Sequence, residues 1–264
     1  MGNEATSPEP ANCSSHTDSR LSGKTALITG AARRVGAAIA RALHGAGANL
    51  VLHYRSSAED ATELAAELNR ARAASVMVVS ADLLEIEHLP ALARTASEAF
   101  GGLDILVNNA SSFYPTPVGD ITLMDWDDLI GTNLKAPLFL SQAVAPALHA
   151  NRGLIVNLAD IHGMRPLRRH PVYSVAKAGL IMLTRSLARE LGPHVRVNAI
   201  APGPVLWPED GLDPALQADI IDRTALKRPG SATDVARAVL FFATEAPYVT
   251  GQILAVDGGR SVGW

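Results

Sequence analysis

The chain has 264 residues, 48% of them hydrophobic and 19% charged, which is enough apolar material for one large domain and not the make-up of a disordered chain. A formal net charge of −3 with no lysine-rich block excludes the basic face that a phosphate backbone requires, so no nucleic-acid partner is expected. The single cysteine, Cys13, excludes an internal disulfide framework and a cysteine-rich metal site, and no apolar run of about 18 residues is present to span a bilayer; a cytoplasmic, reducing setting with no metal and no membrane partner is expected.

Residues 1–22 lack the basic start and apolar centre of a signal peptide and read as a polar, disordered tail. Met1-Gly2 with Thr6 fits the myristoylation pattern, which is loose enough to arise by chance. Residues 23–264 read as one domain. Its apolar runs and helical periods alternate: strand Thr25–Thr29, helix Val35–Ala46, strand Asn49–His53, helix Ala58–Ala73, strand Ser75–Val79, helix His88–Phe100 and strand Ile105–Asn108. Helix Trp126–His149, strand Leu154–Leu158, helix Val172–Leu191, strand Arg196–Ile200, helix Ala232–Ala243 and strand Ile253–Val256 follow. Continuously apolar strands are buried on both faces, and regular alternation with helices implies right-handed crossovers. The expected fold is therefore α/β, a Rossmann-type doubly wound seven-stranded parallel sheet in a three-layer sandwich. Pro202–Gly230 has several prolines and glycines, no strand and no clear apolar period, and is expected to lie over the substrate as a loop.

Between the first strand and the first helix stands Thr29-Gly30-Ala31-Ala32-Arg33-Arg34-Val35-Gly36. In that context glycines let the backbone approach a pyrophosphate, while the helix N-terminus offers unpaired N–H groups and a partial positive charge. Arg34 replaces the usual middle glycine, giving up close approach for a guanidinium that pairs with phosphate oxygens; the plain alternative is a tight turn with an exposed arginine. The second strand ends in His53-Tyr54-Arg55-Ser56, with no acid to grip a ribose 2′-hydroxyl. Arg55 and Ser56, with Arg33 nearby, suit a 2′-phosphate, so NADPH is expected rather than NADH. Asp82 would accept from the adenine amino group, and Asn108-Asn109-Ala110 ends the fourth strand where the cofactor passes; each is equally ordinary strand-end chemistry. Val35, Tyr54, Leu83, Pro202, Gly203 and Val205 complete the expected cofactor contacts.

Tyr173-Ser174-Val175-Ala176-Lys177 opens a helix, so Tyr173 and Lys177 share a face. An ammonium beside a phenol stabilises the phenolate and lowers its pKa from about 10, which makes proton exchange practical. A tyrosine and lysine at this spacing also occur by chance on solvated helices. Together with the glycine turn, Asn108-Asn109-Ala110, Asn133 and Pro202-Gly203, the order and spacing resemble the short-chain dehydrogenase/reductase family over essentially all of residues 21–264. The resemblance implies Tyr173 as acid, Lys177 holding the nicotinamide ribose and tuning the tyrosine, Asn133 maintaining a proton relay, and a homotetramer packed through the regions 126–149 and 172–191.

The departures from that pattern are informative. Where the family has a serine about thirteen residues before the tyrosine, this chain has Asp160. A carboxylate repels a carbonyl oxygen but accepts from ring N–H or amino groups and, if protonated, delivers a proton to a heterocyclic nitrogen. An imine-like C=N bond is expected rather than a ketone. Arg34, His53-Tyr54-Arg55-Ser56, and Ser111-Ser112-Phe113-Tyr114-Pro115 beside Asp160 resemble the pteridine reductase branch. That resemblance implies a small-molecule substrate, a dihydropterin and by extension dihydrofolate, with its ring between the nicotinamide and Phe113. It also implies that Ser111 contacts cofactor phosphate and pterin, that Asp160 and Tyr173 supply the ring proton, and that NADPH gives the hydride. Pro204, Leu206 and Trp207 complete the expected substrate wall, with Trp207 either closing the pocket or anchoring its loop, and Phe113 alternatively packing its loop on the core. Arg165, Arg168, Arg169 and His170 would either attract a folate glutamate tail or form a solvated face, and His162 and Met164 would line the pocket mouth. The runner-up is a reductase of the same fold acting on another carbonyl or imine; outside enzymes, the alternative is a non-catalytic NADPH-binding sensor or scaffold.

Overall fold

The computed structural model describes residues 19–207 and 211–263. Seven strands, β1 (Thr25–Ile28), β2 (Asn49–Tyr54), β3 (Val76–Ser80), β4 (Ile105–Asn108), β5 (Leu154–Leu158), β6 (Arg196–Pro202) and β7 (Ile253–Val256), form one sheet in the order β3-β2-β1-β4-β5-β6-β7. Every neighbouring pair is parallel. Alternate residues of β1 divide the core, as the period of two requires: Ala26 and Ile28 join one apolar cluster and Leu27 the other. The first cluster draws on α1 (Arg34–Gly45), α2 (Ala58–Ala71) and α8 (Ala232–Thr244), and the second on α3 (Leu89–Glu98), α5 (Ala136–Ala150) and Ala188 of α6 (Pro171–Leu191). The result is the expected Rossmann-type sandwich, and the strand order reverses between β1 and β4, where such sheets open a crevice at their C-terminal edge.

Buried amides tie the layers together beneath that edge. Asn108 Nδ2 donates to Asn157 Oδ1 at 2.8 Å, and Asn157 Nδ2 donates to Thr184 Oγ1 at 2.9 Å, linking β4, β5 and α6 through satisfied polar groups.

Three boundaries depart from expectation. Residues 1–18 of the polar tail lie outside the described residues, but Leu21 is buried in the core and its N–H donates to Ala46 O, so the packed chain begins before residue 23. The helix expected over Trp126–His149 is two helices, α4 (Leu123–Ile130) and α5, joined by a π-helical turn at Gly131–Lys135. Pro137 has no N–H to offer the carbonyl four residues back, at Asn133, which accounts for the widened turn. The segment 202–230 is not wholly irregular: it contains α7 (Pro214–Asp222), capped by Asp213 Oδ1 accepting from Ala215 N, and none of its residues is buried. Among the described residues no helix is long and apolar enough to cross a membrane.

Packing of α1 on the turn after β1 admits no side chain at Gly36, where an added Cβ would lie 2.2 Å from Gly30 O and 2.9 Å from Ala31 Cα. Gly36→Ala is expected to destabilise the chain by about 1–3 kcal/mol in urea unfolding, and an unchanged midpoint would show that α1 can retreat freely.

Candidate active site

The crevice at the C-terminal edge is a cleft of about 830 Å3. Gly30, Arg33, Arg34 and Val35 line it from the turn after β1; Tyr54, Arg55 and Ser56 from the end of β2; and Asp82 and Leu83 from beyond β3. Asn109, Ala110, Ser111 and Phe113 line it after β4, Asp160 after β5, Tyr173 and Lys177 from α6, and Pro202, Gly203, Pro204, Val205, Leu206 and Trp207 after β6. Asn133 alone among the expected site residues stands behind the wall. It is buried, accepts from Ser111 Oγ at 2.6 Å and donates to Ser112 O and Leu129 O, so it positions the Ser111 loop and does not face the cleft.

The ends of β1 and β4 are laced together. Asn109 N and Ala110 N donate to Thr29 Oγ1 at 2.9 and 3.0 Å, and Asn109 Nδ2 donates to the carbonyls of Thr29 and Gly30. Gly30 takes φ +60° and an added Cβ would stand 3.0 Å from Ala110 Cα, so only glycine fits without strain. Arg34 keeps the left-handed backbone of the glycine it replaces, at φ 54°, a conformation that costs a bulky residue about 1–3 kcal/mol. Its guanidinium donates to Trp207 O at 3.0 Å, joining the turn to the loop after β6. No side chain caps the N-terminus of α1 and its first turn carries no acid, so the helix end keeps its partial positive charge with Arg33 and Arg34 beside it, Arg33 Nε lying 3.7 Å from Asp60 Oδ2.

At the other end of the cleft, Tyr173 and Lys177 lie one turn apart on α6. Tyr173 Oη donates to Asp160 Oδ2 at 2.8 Å, while Asp160 Oδ1 accepts from His162 N at 2.8 Å as the cap of a short turn. Lys177 Nζ donates to Leu158 O at 2.8 Å and lies 5.6 Å from the centroid of the Tyr173 ring. Burial pulls the Lys177 ammonium down to about 8, opposed by the charge of Asp160. Burial, followed by the charge and hydrogen bond of Asp160, pushes the Tyr173 phenol well above its ordinary value, and the Ser111 hydroxyl acts weakly the other way. A desolvated phenol bonded to a carboxylate keeps its proton, so burial and Asp160, and not Lys177, set the direction of its shift.

Phe113 is 51% exposed, so it does not pack its loop on the core. Its ring stacks on His170 at 4.7 Å and 9° and meets Tyr173 edge-on at 4.8 Å and 77°, which leaves one aromatic face toward the cleft. Of the cationic cluster only His170 reaches the cleft; Arg165, Arg168 and Arg169 do not line it, and neither does Met164, whereas His162 does. His53, Leu167, Leu212, Leu216, Ile220 and Arg260 line it unexpectedly. The Leu216–Ile220 spacing was the legible signal for the α7 wall. Among the described residues no group of His, Cys, Asp or Glu could hold a metal ion.

Comparison with known proteins agrees with this geometry. A family model described as Enoyl-(Acyl carrier protein) reductase matches residues 30–261. Pteridine reductase 1 of Leishmania tarentolae is 38% identical, with 90% of this chain and 96% of the relative covered. A 3-oxoacyl-(acyl-carrier-protein) reductase of Staphylococcus aureus is 35% identical, with 89% and 97% covered. A solved double mutant of a Serratia marcescens short-chain dehydrogenase/reductase superposes with a TM-score of 0.86 at 32% identity, covering 92% of this chain and 99% of its own. The chain belongs to the short-chain dehydrogenase/reductase family, and that membership implies an oxidoreductase working with a nicotinamide cofactor.

Proposed function

We propose that the chain is an NADPH-dependent reductase of pteridines, acting on dihydropterins and by extension on dihydrofolate. The observation that carries this reading is the hydrogen bond between Tyr173 and Asp160, a carboxylate at the place where reductases of ketones present a hydroxyl. The nucleotide fits the residues present: the cleft runs along the sheet edge, Gly30 and Gly36 leave no room for side chains, and α1 begins with two arginines, no side-chain cap and no acid in its first turn. Arg33, Arg34 and the N-terminus of α1 would hold its pyrophosphate, Arg55 and Ser56 a 2′-phosphate, Asp82 the adenine and Lys177 a ribose. The bound cofactor supplies the hydride.

The chain's own residues align the substrate and move the proton. Phe113 offers a face to a flat ring, worth about 1 kcal/mol beyond area burial. Tyr173 Oη holds the proton destined for the ring nitrogen, and Asp160 keeps it there until that nitrogen gains basicity. After transfer, Asp160 is the path by which the phenolate regains a proton from water. A second reading, reduction of an acyl-chain carbonyl, is favoured by the apolar wall of Leu206, Leu212, Leu216 and Ile220. A homotetramer is part of the proposal, since Leu138, Val175 and Met182 leave an apolar face exposed on α5 and α6.

NADPH oxidation with dihydrobiopterin, dihydrofolate and a panel of ketones tests the reading. Pterin turnover is expected, reduced about 100-fold or more by Tyr173→Phe and by Asp160→Ser; turnover confined to ketones sinks the pteridine assignment. Arg55→Ala is expected to weaken NADPH about tenfold or more while leaving NADH nearly untouched, read from the two KM values. With Lys177 titrating at about 8, kcat/KM should fall tenfold per pH unit as pH rises through that value, because the ammonium is present only below it. A profile flat to pH 10 would remove Lys177's charge from the mechanism.

A further inference from the structure

His53 lines the cleft, yet only 2% of it is exposed and both of its ring nitrogens are engaged. Nδ1 accepts from the N–H of Gly30 at 3.2 Å, and Nε2 lies 3.0 Å from the carbonyl of Ala81. A carbonyl can only accept and an N–H can only donate, so one form of the ring satisfies both: the neutral imidazole with its proton on Nε2. Burial pushes the imidazole below its ordinary value, in keeping with that form. The backbone repeats the pattern, with Ala31 N donating to His53 O at 2.9 Å and Ala81 N to Tyr54 O at 3.2 Å. The turn after β1, the end of β2 and the segment leading from β3 to Asp82 thus meet at a single residue.

We propose that His53 is a positioning residue for the cofactor: its imidazole Nδ1 fixes where the Gly30 turn, which faces the pyrophosphate, stands, and the Ala81 carbonyl holds the ring in the form that accepts there. This rests on the nucleotide reading of the cleft. The Gly30 N–H is aimed at the ring, so the ring decides where the turn stands. Neighbouring parallel strands splay at their ends as the sheet twists, and the imidazole is the cross-link that spans β1 to β3 over β2.

The test is NADPH binding to the full chain by fluorescence titration, with KM and kcat, for His53→Ala, His53→Asn and His53→Gln. An asparagine amide reaches the position of Nδ1 and keeps an acceptor for Gly30, whereas a glutamine amide reaches the position of Nε2 and keeps only the Ala81 contact. Alanine and glutamine are expected to weaken NADPH about tenfold, as for one lost hydrogen bond, with asparagine close to wild type. The loss should fall on KM for NADPH and not on kcat. Asparagine and glutamine differing in this way is the result a general packing role would not give, and it remains readable if the alanine variant fails to fold. Equal effects in asparagine and glutamine, or an unchanged Kd in all three, overturn the proposal. A wild-type chain that binds no NADPH overturns the cofactor reading and this one with it.

Discussion

Everything at the catalytic edge depends on how the turn after β1 is locked to the end of β4. The Thr29 hydroxyl accepts two backbone N–H groups from Asn109 and Ala110, and the Asn109 amide donates back to two carbonyls of the turn. At this point the strand order reverses, so helices leave on opposite faces and a crevice opens between them. Without the lacing, the two strand ends would be free to part, and the close seating of Gly36 on Gly30 would have nothing to press against. The crevice is rigid because its walls exchange hydrogen bonds, and this lets flexible side chains such as Arg33 and Arg55 project from a fixed base.

A second connection crosses the mouth of the cleft. Arg34 sits in a strained backbone conformation and reaches the carbonyl of Trp207, in the segment that follows β6. The strain is tolerated because glycine's backbone shape is what the turn requires, while the side chain does what glycine cannot. That segment contains α7, none of whose residues is buried, so this part of the wall is held less firmly than the sheet beneath it.

The sheet was legible in the sequence because buried parallel strands leave an unmistakable pattern: β1, β4 and β5 are buried throughout, and their apolar runs stood out against helical periods. Where local chemistry competes with periodicity, the boundaries moved. The interruption between α4 and α5 turns on Pro137, whose effect is felt four residues earlier at Asn133, and α7 was hidden by prolines that begin helices as readily as they end them. The site residues adjoining strand ends all reached the cleft, because topology alone delivers them there. His53 was missed because it reads as a strand residue, and its importance lies in partners on β1 and β3 that no local pattern discloses. For the Tyr173 phenol, a spacing of four shows Lys177 but discloses neither the burial of the ring nor Asp160, from another element, which together raise it.

A carboxylate beside the phenol has a chemical direction. Hydride attack on a carbonyl builds negative charge on oxygen, which a hydroxyl donor steadies and a neighbouring carboxylate opposes. Attack on a C=N bond builds basicity on the nitrogen, which then takes its proton from a donor that a neighbouring carboxylate has kept protonated. Burial is the first cause of the raised Tyr173 phenol and the charge and hydrogen bond of Asp160 add to it, while burial also weakens the Lys177 ammonium. In the proposed reading, Asp160 in place of one hydroxyl puts a negative group beside the Tyr173 phenol, while the turn, the strand ends and the helix around them stay as they are. On that reading substrate class follows from the charge at one position beside Tyr173, and the rest of the fold is compatible with either choice.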